Sequence, residues 1–76
     1  MAVKLSIKEM RALRNGDSVT LEIHRANSSQ VNATVEGEPW TLTNNWKEPD
    51  TIQLNYYDRA TRRTEDFRFT EITLYR

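Results

Sequence analysis

The stretch TEDFRFTEITLYR, residues 64–76, decides the fold that the sequence predicts. Its apolar residues alternate with polar ones in two short runs, which indicates two half-buried strands. Ile72 follows Phe69 by three positions, whereas side chains on one face of a continuous strand are an even number of positions apart. We therefore expect a bulge or one short helical turn at residues 70–71, because otherwise Ile72 would face water.

The size and composition of the chain predict a single domain over residues 1–76. The chain has 76 residues and no cysteine, so packing rather than disulfides must stabilise it. Hydrophobic residues make up 37% of the chain and charged residues 29%, which suits a thin core under a charged surface. The N-terminus has no apolar run, so we expect a cytoplasmic protein without membrane contact.

The charges are balanced, with 11 basic and 11 acidic side chains. Generic nucleic-acid binders usually carry a basic excess, because neutralising phosphates supplies most of their affinity. The balance therefore disfavours binding to a nucleic-acid duplex. Spacings typical of zinc, calcium or phosphate-loop sites are missing from the sequence, so we expect no metal and no cofactor.

A short helix is predicted near the N-terminus. Ser6 and Glu9 have capping-box spacing, and Gly16 after Asn15 supplies a left-handed stop. The helix should cover residues 7–14. Its inward residues would be Met10 and Leu13.

Alternating apolar residues predict three further strands before the closing pair, at residues 19–23, 31–35 and 52–56. Polar turns are expected at residues 26–29 and 58–63. Neighbouring strands should pair antiparallel, since no connection is long enough for a crossover helix. The predicted fold class is mainly β, with a short N-terminal helix on a small, partly open antiparallel barrel. The alternative is an α+β fold in which the helix lies on a twisted antiparallel meander.

Residues 61–74, TRRTEDFRFTEITL, resemble the closing strands of Sm-like proteins. These proteins are small β-barrels, as are SH3 domains. That group includes the bacterial RNA chaperones and the small proteins that inhibit the termination factor Rho. The predicted helix followed by the strand at residues 19–23 fits the same order of elements. The resemblance implies the architecture and not the RNA site. Sm proteins bind uridine partly through a basic residue that is followed by glycine. No such pair occurs near Arg62 or Arg63.

Catalysis finds little support in the sequence. His24 is the only histidine, and Glu22 lies two residues away on the same polar face of a predicted strand. A carboxylate beside an imidazole could tune a general base. We interpret the two side chains instead as part of an exposed cross-strand pairing. The protein is therefore predicted not to be an enzyme.

Four arginines gather near the predicted turn at residues 58–63. Arg59, Arg62 and Arg63 would lie in that turn, and Arg68 would project from the polar face of the next strand. Arginine outnumbers lysine eight to three, which favours bidentate recognition of phosphate or carboxylate. Tyr57 should share the outward face, where a base could stack on it. The neighbouring acids, which would weaken any attraction for phosphate, are Asp58, Glu65 and Asp66.

Two tryptophans bracket residues 41–45. Trp40 continues an alternating pattern and is predicted to lie in the core. Trp46 lies in a polar loop, where it either folds back as a lid on the core or stays exposed as an anchor. Tryptophan and arginine are the usual hot-spot residues of protein interfaces.

These observations predict a small non-enzymatic regulatory or inhibitory protein that binds a partner protein. Its size would also fit a compact viral or mobile-element regulator. One alternative is a module for RNA or single-stranded DNA that uses the same arginines with Tyr57. Another is a structural subunit that pairs edge strands into a homo-oligomeric ring or dimer. The predicted partner-binding residues are Trp46, Tyr57, Arg59, Arg62, Arg63 and Arg68.

Overall fold

The computed structural model describes residues 3–25, 29–39 and 50–76. These residues form one α-helix and five β-strands, with a single 3₁₀ turn before the last strand. The described helix is too short to cross a membrane. The elements in chain order are α1 (Ile7–Arg11), β1 (Ser18–Ile23), β2 (Gln30–Glu36), β3 (Thr51–Asp58), β4 (Thr61–Arg68), the 3₁₀ turn (Phe69–Glu71) and β5 (Ile72–Tyr75).

The five strands form one antiparallel sheet in the order β4-β3-β2-β1-β5. The first four strands follow one another as a meander, and β5 returns to pair with β1. The sheet stays open, which is consistent with a small, partly open barrel. The predicted fold class, mainly β with a short N-terminal helix, is confirmed.

One face of this sheet and the helix enclose the core. Leu21 in β1 lies directly opposite Leu74 in β5, and neither side chain is exposed to solvent. Each fully buried leucine contributes roughly 1.5–3 kcal/mol relative to an exposed one. The other core residues are Leu5, Met10, Leu13, Val19, Ala33, Val35, Ile52, Leu54, Tyr56, Phe67, Phe69 and Ile72.

The predicted step between the last two strands is confirmed as the 3₁₀ turn Phe69–Glu71. It changes the phase of the chain, so that Phe69 and Ile72 are both buried. Backbone hydrogen bonds secure it at both ends. The N–H of Phe69 donates to the carbonyl of Asp50, and the N–H of His24 donates to the carbonyl of Glu71, both at 2.9 Å.

The helix begins as predicted and ends early. Ser6 and Glu9 form both hydrogen bonds of the capping box. The helix stops at Arg11 instead of Arg14, because the N–H groups of Ala12 and Leu13 donate to the carbonyls three residues back. The N–H of Arg14 then donates to the carboxylate of Asp17 at 2.9 Å. The expected inward residues and left-handed stop are confirmed. Met10 and Leu13 are buried, and Gly16 has a φ of 94°.

The turn predicted at residues 58–63 is shorter than expected. Asp58 already pairs with Thr61, which leaves only residues 59–60 as the turn. Arg62 and Arg63 therefore belong to β4. Thr73 lies on the polar side of its strand pattern, where we expected exposure. The structure buries it, and its hydroxyl shares a hydrogen bond with His24.

The predictions for the turn at residues 26–29 and for the two tryptophans fall on residues that the structure does not describe, wholly or in large part. Most of the predicted turn at residues 26–29 lies outside the described ranges. The tryptophans Trp40 and Trp46 also lie outside them.

An ion pair joins the helix to the start of β3. Arg11 donates from Nε to Asp50 Oδ1 at 2.7 Å and from Nη2 to Asp50 Oδ2 at 2.9 Å. Asp50 has a φ of 54°, in the left-handed region that asparagine and aspartate tolerate better than most residues. The hydrogen bonds from Arg11 lower the pKa of the Asp50 carboxyl.

We expect Asp50→Asn to lower the free energy of unfolding near neutral pH, because asparagine tolerates the same backbone conformation but forms no ion pair. The folded-state pKa is lowered, so the stabilisation is complete above the ordinary value of 3.8 and is lost as the pH falls through the folded pKa. Urea unfolding at a series of pH values measures this. The unfolding free energies of wild type and variant should converge in acid. Glu38→Gln, which removes one charge at an exposed position, is the control. A stability difference that persists unchanged in acid would contradict this account.

Candidate binding surface

The register of the β3–β4 hairpin places the candidate residues on two different faces. Directly opposite residues share a face, and successive residues alternate between faces. Tyr57 lies opposite Arg62, whereas Tyr56 lies opposite Arg63 and is buried. The face that carries Tyr57 is turned away from the core, and we call it the outer face. Its residues on these two strands are Thr51, Gln53, Asn55, Tyr57, Arg62, Thr64, Asp66 and Arg68.

The four arginines therefore do not form one surface. Arg62 and Arg68 lie on the outer face with Tyr57, and Arg59 occupies the adjoining hairpin turn. Arg63 lies on the opposite face. The sequence placed Tyr57 and Arg62 together correctly, but it did not separate Arg63 from the others. Trp46, the sixth predicted contact residue, lies outside the described ranges.

Arg63 has acidic neighbours in its own hairpin. Its Nε lies 3.4 Å from Asp58 Oδ2, and its Nη1 lies 3.8 Å from Glu65 Oε1. Glu65 also accepts a hydrogen bond from the hydroxyl of Tyr56 at 2.8 Å. Burial, reinforced by this carboxylate, raises the pKa of Tyr56 to about 12. Two of the three acids predicted to offset the arginines thus act on Arg63.

Arg62 is held over the outer face by a chain of polar contacts. Its Nε donates to Asn55 Oδ1 at 2.8 Å, and Asn55 Nδ2 donates to Glu36 Oε1 at 3.2 Å. These contacts cross from β4 through β3 to β2. Tyr57, which lies next to this chain, is 58% exposed.

A groove of about 530 Å³ crosses the outer face and has lining residues on all five strands. One end carries Tyr57 and Arg62, and the other carries Tyr75 and Arg76. Between them lie short polar side chains that can donate or accept hydrogen bonds. These are Ser18, Thr20, Asn32, Thr34 and Asn55.

Acidic groups act at the Tyr75–Arg76 end of the groove without belonging to its lining. The hydroxyl of Tyr75 donates to Glu22 Oε1 at 3.3 Å, and Arg76 Nη2 lies 3.4 Å from Asp17 Oδ2. Burial, followed by the nearby charge of Glu22, raises the pKa of Tyr75. The sequence did not identify this end, because its proximity to β1 depends on the strand order.

His24 and Glu22 each form hydrogen bonds with residues of neighbouring strands, as the cross-strand interpretation expected. His24 Nε2 shares a hydrogen bond with Thr73 Oγ1 at 2.5 Å. Glu22 instead accepts hydrogen bonds from Tyr75 and from Gln30. Within the described ranges, no three His, Cys, Asp or Glu side chains come together as a metal site.

Comparison with protein-family models, with curated proteins and with solved structures finds no match. The resemblance to Sm-like proteins therefore stays a prediction.

The bond between Tyr56 and Glu65 predicts an alkaline loss of stability. The pKa of Tyr56 is raised from 10 to about 12 in the folded state, so its stabilisation is complete below pH 10 and is lost as the pH rises through 12. Tyr56→Phe should therefore lose less stability over this interval than wild type does. Urea unfolding followed by circular dichroism measures the difference. Tyr57→Phe, on the exposed ring, should behave as wild type, and equal alkaline losses in all three proteins would refute the assignment.

Proposed function

We propose that the protein is a small non-enzymatic regulator or inhibitor that acts in the cytoplasm by binding a partner protein. The contact surface is the outer face of β3 and β4. The observation that supports it is the exposed ring of Tyr57 directly opposite Arg62. Tyrosine and arginine are among the residue types that contribute most of the energy of protein interfaces.

The charges along β4 favour a protein partner. The outer face of this strand carries Arg62 and Arg68 with Asp66 between them. A surface of mixed sign is complementary to another mixed protein surface and helps to fix the register of binding. A phosphate backbone carries one sign only, so Asp66 would oppose its approach.

Arg59 at the hairpin turn adds a further argument. It has a φ of 62°, in the left-handed region that glycine adopts without a steric penalty. A residue with a side chain there costs about 1 kcal/mol or more, and such costs concentrate at functional positions. A binding role for the exposed guanidinium would account for an arginine at this turn.

The proposal is tested by capture of partners from a nuclease-treated lysate of the native host, followed by affinity measurement with the purified partner. Tyr57→Ala and Arg68→Ala should each weaken the affinity by about tenfold, since a hot-spot truncation costs more than 1 kcal/mol. Arg14→Ala is the matched control, because it removes an exposed arginine next to the helix and not on the sheet. If both sheet variants bound every captured partner as wild type does, this contact surface would be wrong.

A second candidate function is binding of RNA or single-stranded DNA in the groove. It is favoured by the groove lining, in which the charged side chains are Arg62 and Arg76 and the aromatic side chains are tyrosines. Bases stack on exposed aromatic rings without regard to sequence, and arginines contact the backbone.

A salt titration separates this candidate from the protein partner. With fluorescent oligo(U) or oligo(dT) as the probe, two contacted phosphates should give a slope of about 1.4 in a plot of log Kd against log salt concentration. Arg76→Ala should reduce that slope by about half, because one phosphate contact is lost. Arg14→Ala again serves as the control. Absence of oligonucleotide binding, or binding that is insensitive to salt, would eliminate the nucleic-acid function.

A further inference from the structure

The two outermost strands of the sheet, β5 and β4, differ in how their outer edges are covered. At one end, residues 3–5 run along β5, and Val3 exchanges backbone hydrogen bonds with Arg76 at 2.9 Å. At the other end, β4 pairs with β3 along all 8 of its residues. None of the described residues pairs with the second edge of β4. An edge strand of this length is a template for pairing with another strand.

The order of charges along β4 is specific. Two arginines, Arg62 and Arg63, come before Thr64, and two acids, Glu65 and Asp66, come after it. If two copies of β4 pair antiparallel about Thr64, each arginine lies opposite an acid. Arg62 faces Asp66 of the second copy, and Arg63 faces Glu65 of the second copy. Oppositely charged side chains directly across an antiparallel pair stabilise it.

This register also keeps the two faces of the sheet in phase. Arg62 and Asp66 both lie on the outer face, and Arg63 and Glu65 both lie on the other face. Centring the pair one residue earlier would place Arg63 opposite itself, and one residue later would place Glu65 opposite itself. Like charges directly opposite each other are destabilising, so the neighbouring registers are disfavoured. The twofold axis repeats each favourable pair.

The contacts within one chain do not compete strongly with this pairing. The side chain of Arg63 is 51% exposed, and its contacts are with Asp58 at 3.4 Å and with Glu65 at 3.8 Å. Exposed ion pairs of this kind contribute little to stability. The hydrogen bond from Arg62 to Asn55 uses Nε and not the two terminal Nη groups.

We propose that the protein forms an antiparallel homodimer through β4, centred on Thr64, so that the two sheets become one continuous sheet. This inference goes beyond the proposed function and does not depend on it. Tyr57 lies one strand away from the dimer axis and stays accessible to a partner protein. Arg68 would lie opposite Ala60 of the second copy, where it meets no charge.

The dimer should be weak and dependent on concentration. We expect one strand pair to bury less than roughly 1,200 Å², the lower limit of standard interfaces, and hence a dissociation constant on the order of 10–100 µM. Sedimentation equilibrium of the wild-type protein without a partner measures it. A wild-type protein that is monomeric up to about 1 mM would overturn the proposal.

Charge reversal tests the register. Arg62→Asp places acids at both positions 62 and 66, and Asp66→Arg places arginines at both. Each variant alone should dimerise about tenfold more weakly, because attractive pairs become repulsive. A one-to-one mixture should form a heterodimer, and the double variant Arg62→Asp with Asp66→Arg should regain the homodimer. Recovery in the mixture also demonstrates that both single variants fold.

The control is Arg68→Asp, which makes the same charge change on the same face but has no charge opposite it in the proposed dimer. Its dimerisation should match that of the wild type. Single variants of residues 62 and 66 that dimerise as tightly as wild type would overturn the register. Tyr57→Ala should bind the partner protein about tenfold more weakly and keep the dimer, so failure of the proposed function is distinguishable from failure of this inference.

Discussion

The pairing of β5 with β1 is the constraint on which the rest of the structure depends. It places Leu74 opposite Leu21 in the centre of the core and gives residues 3–5 a strand to run along. The 3₁₀ turn Phe69–Glu71 makes the pairing compatible with burial. Without the change of phase at this turn, either Phe69 or Ile72 would face solvent, and the core would lose one of its large side chains.

The same register that fills the core also determines the chemistry of the outer face. Every strand that buries alternate apolar residues presents its remaining residues on the other side. The outer face is therefore mostly polar, and it gathers hydroxyl and amide groups from β1, β2 and β3 into one groove. A shift of one residue in β4 would exchange Arg62 for Arg63, and the candidate surface would acquire an arginine that already has acidic neighbours.

Local sequence signals predicted the elements whose causes are local. The capping box of Ser6 and Glu9 and the odd spacing from Phe69 to Ile72 are both set by neighbouring residues. The length of the β3–β4 turn was not predictable, because the first half of β4 is polar on both faces and reads as a loop. The end of the helix was also not predicted, because the hydrogen bond from Arg14 to Asp17 does not alter the spacing of the apolar residues.

The candidate site shows the same division between local and distant causes. Alternation alone put Tyr57 on the outward face. The Tyr75–Arg76 end of the groove required knowledge that the last strand lies beside the first. Arg63 was grouped with Arg62 because neighbours in a turn can share a surface, whereas neighbours in a strand cannot.

The closing strand pair also has a consequence for how the chain acquires its structure. Leu21 and Leu74 are 53 positions apart, so the central contact of the core joins residues that are distant in sequence. Contacts of this kind slow folding, because a long segment must be ordered before they form. During synthesis on a ribosome, β1 emerges well before β5. Until β5 has been made, one edge and the apolar face of β1 remain uncovered. The interval between the two strands is when this protein is most exposed to aggregation.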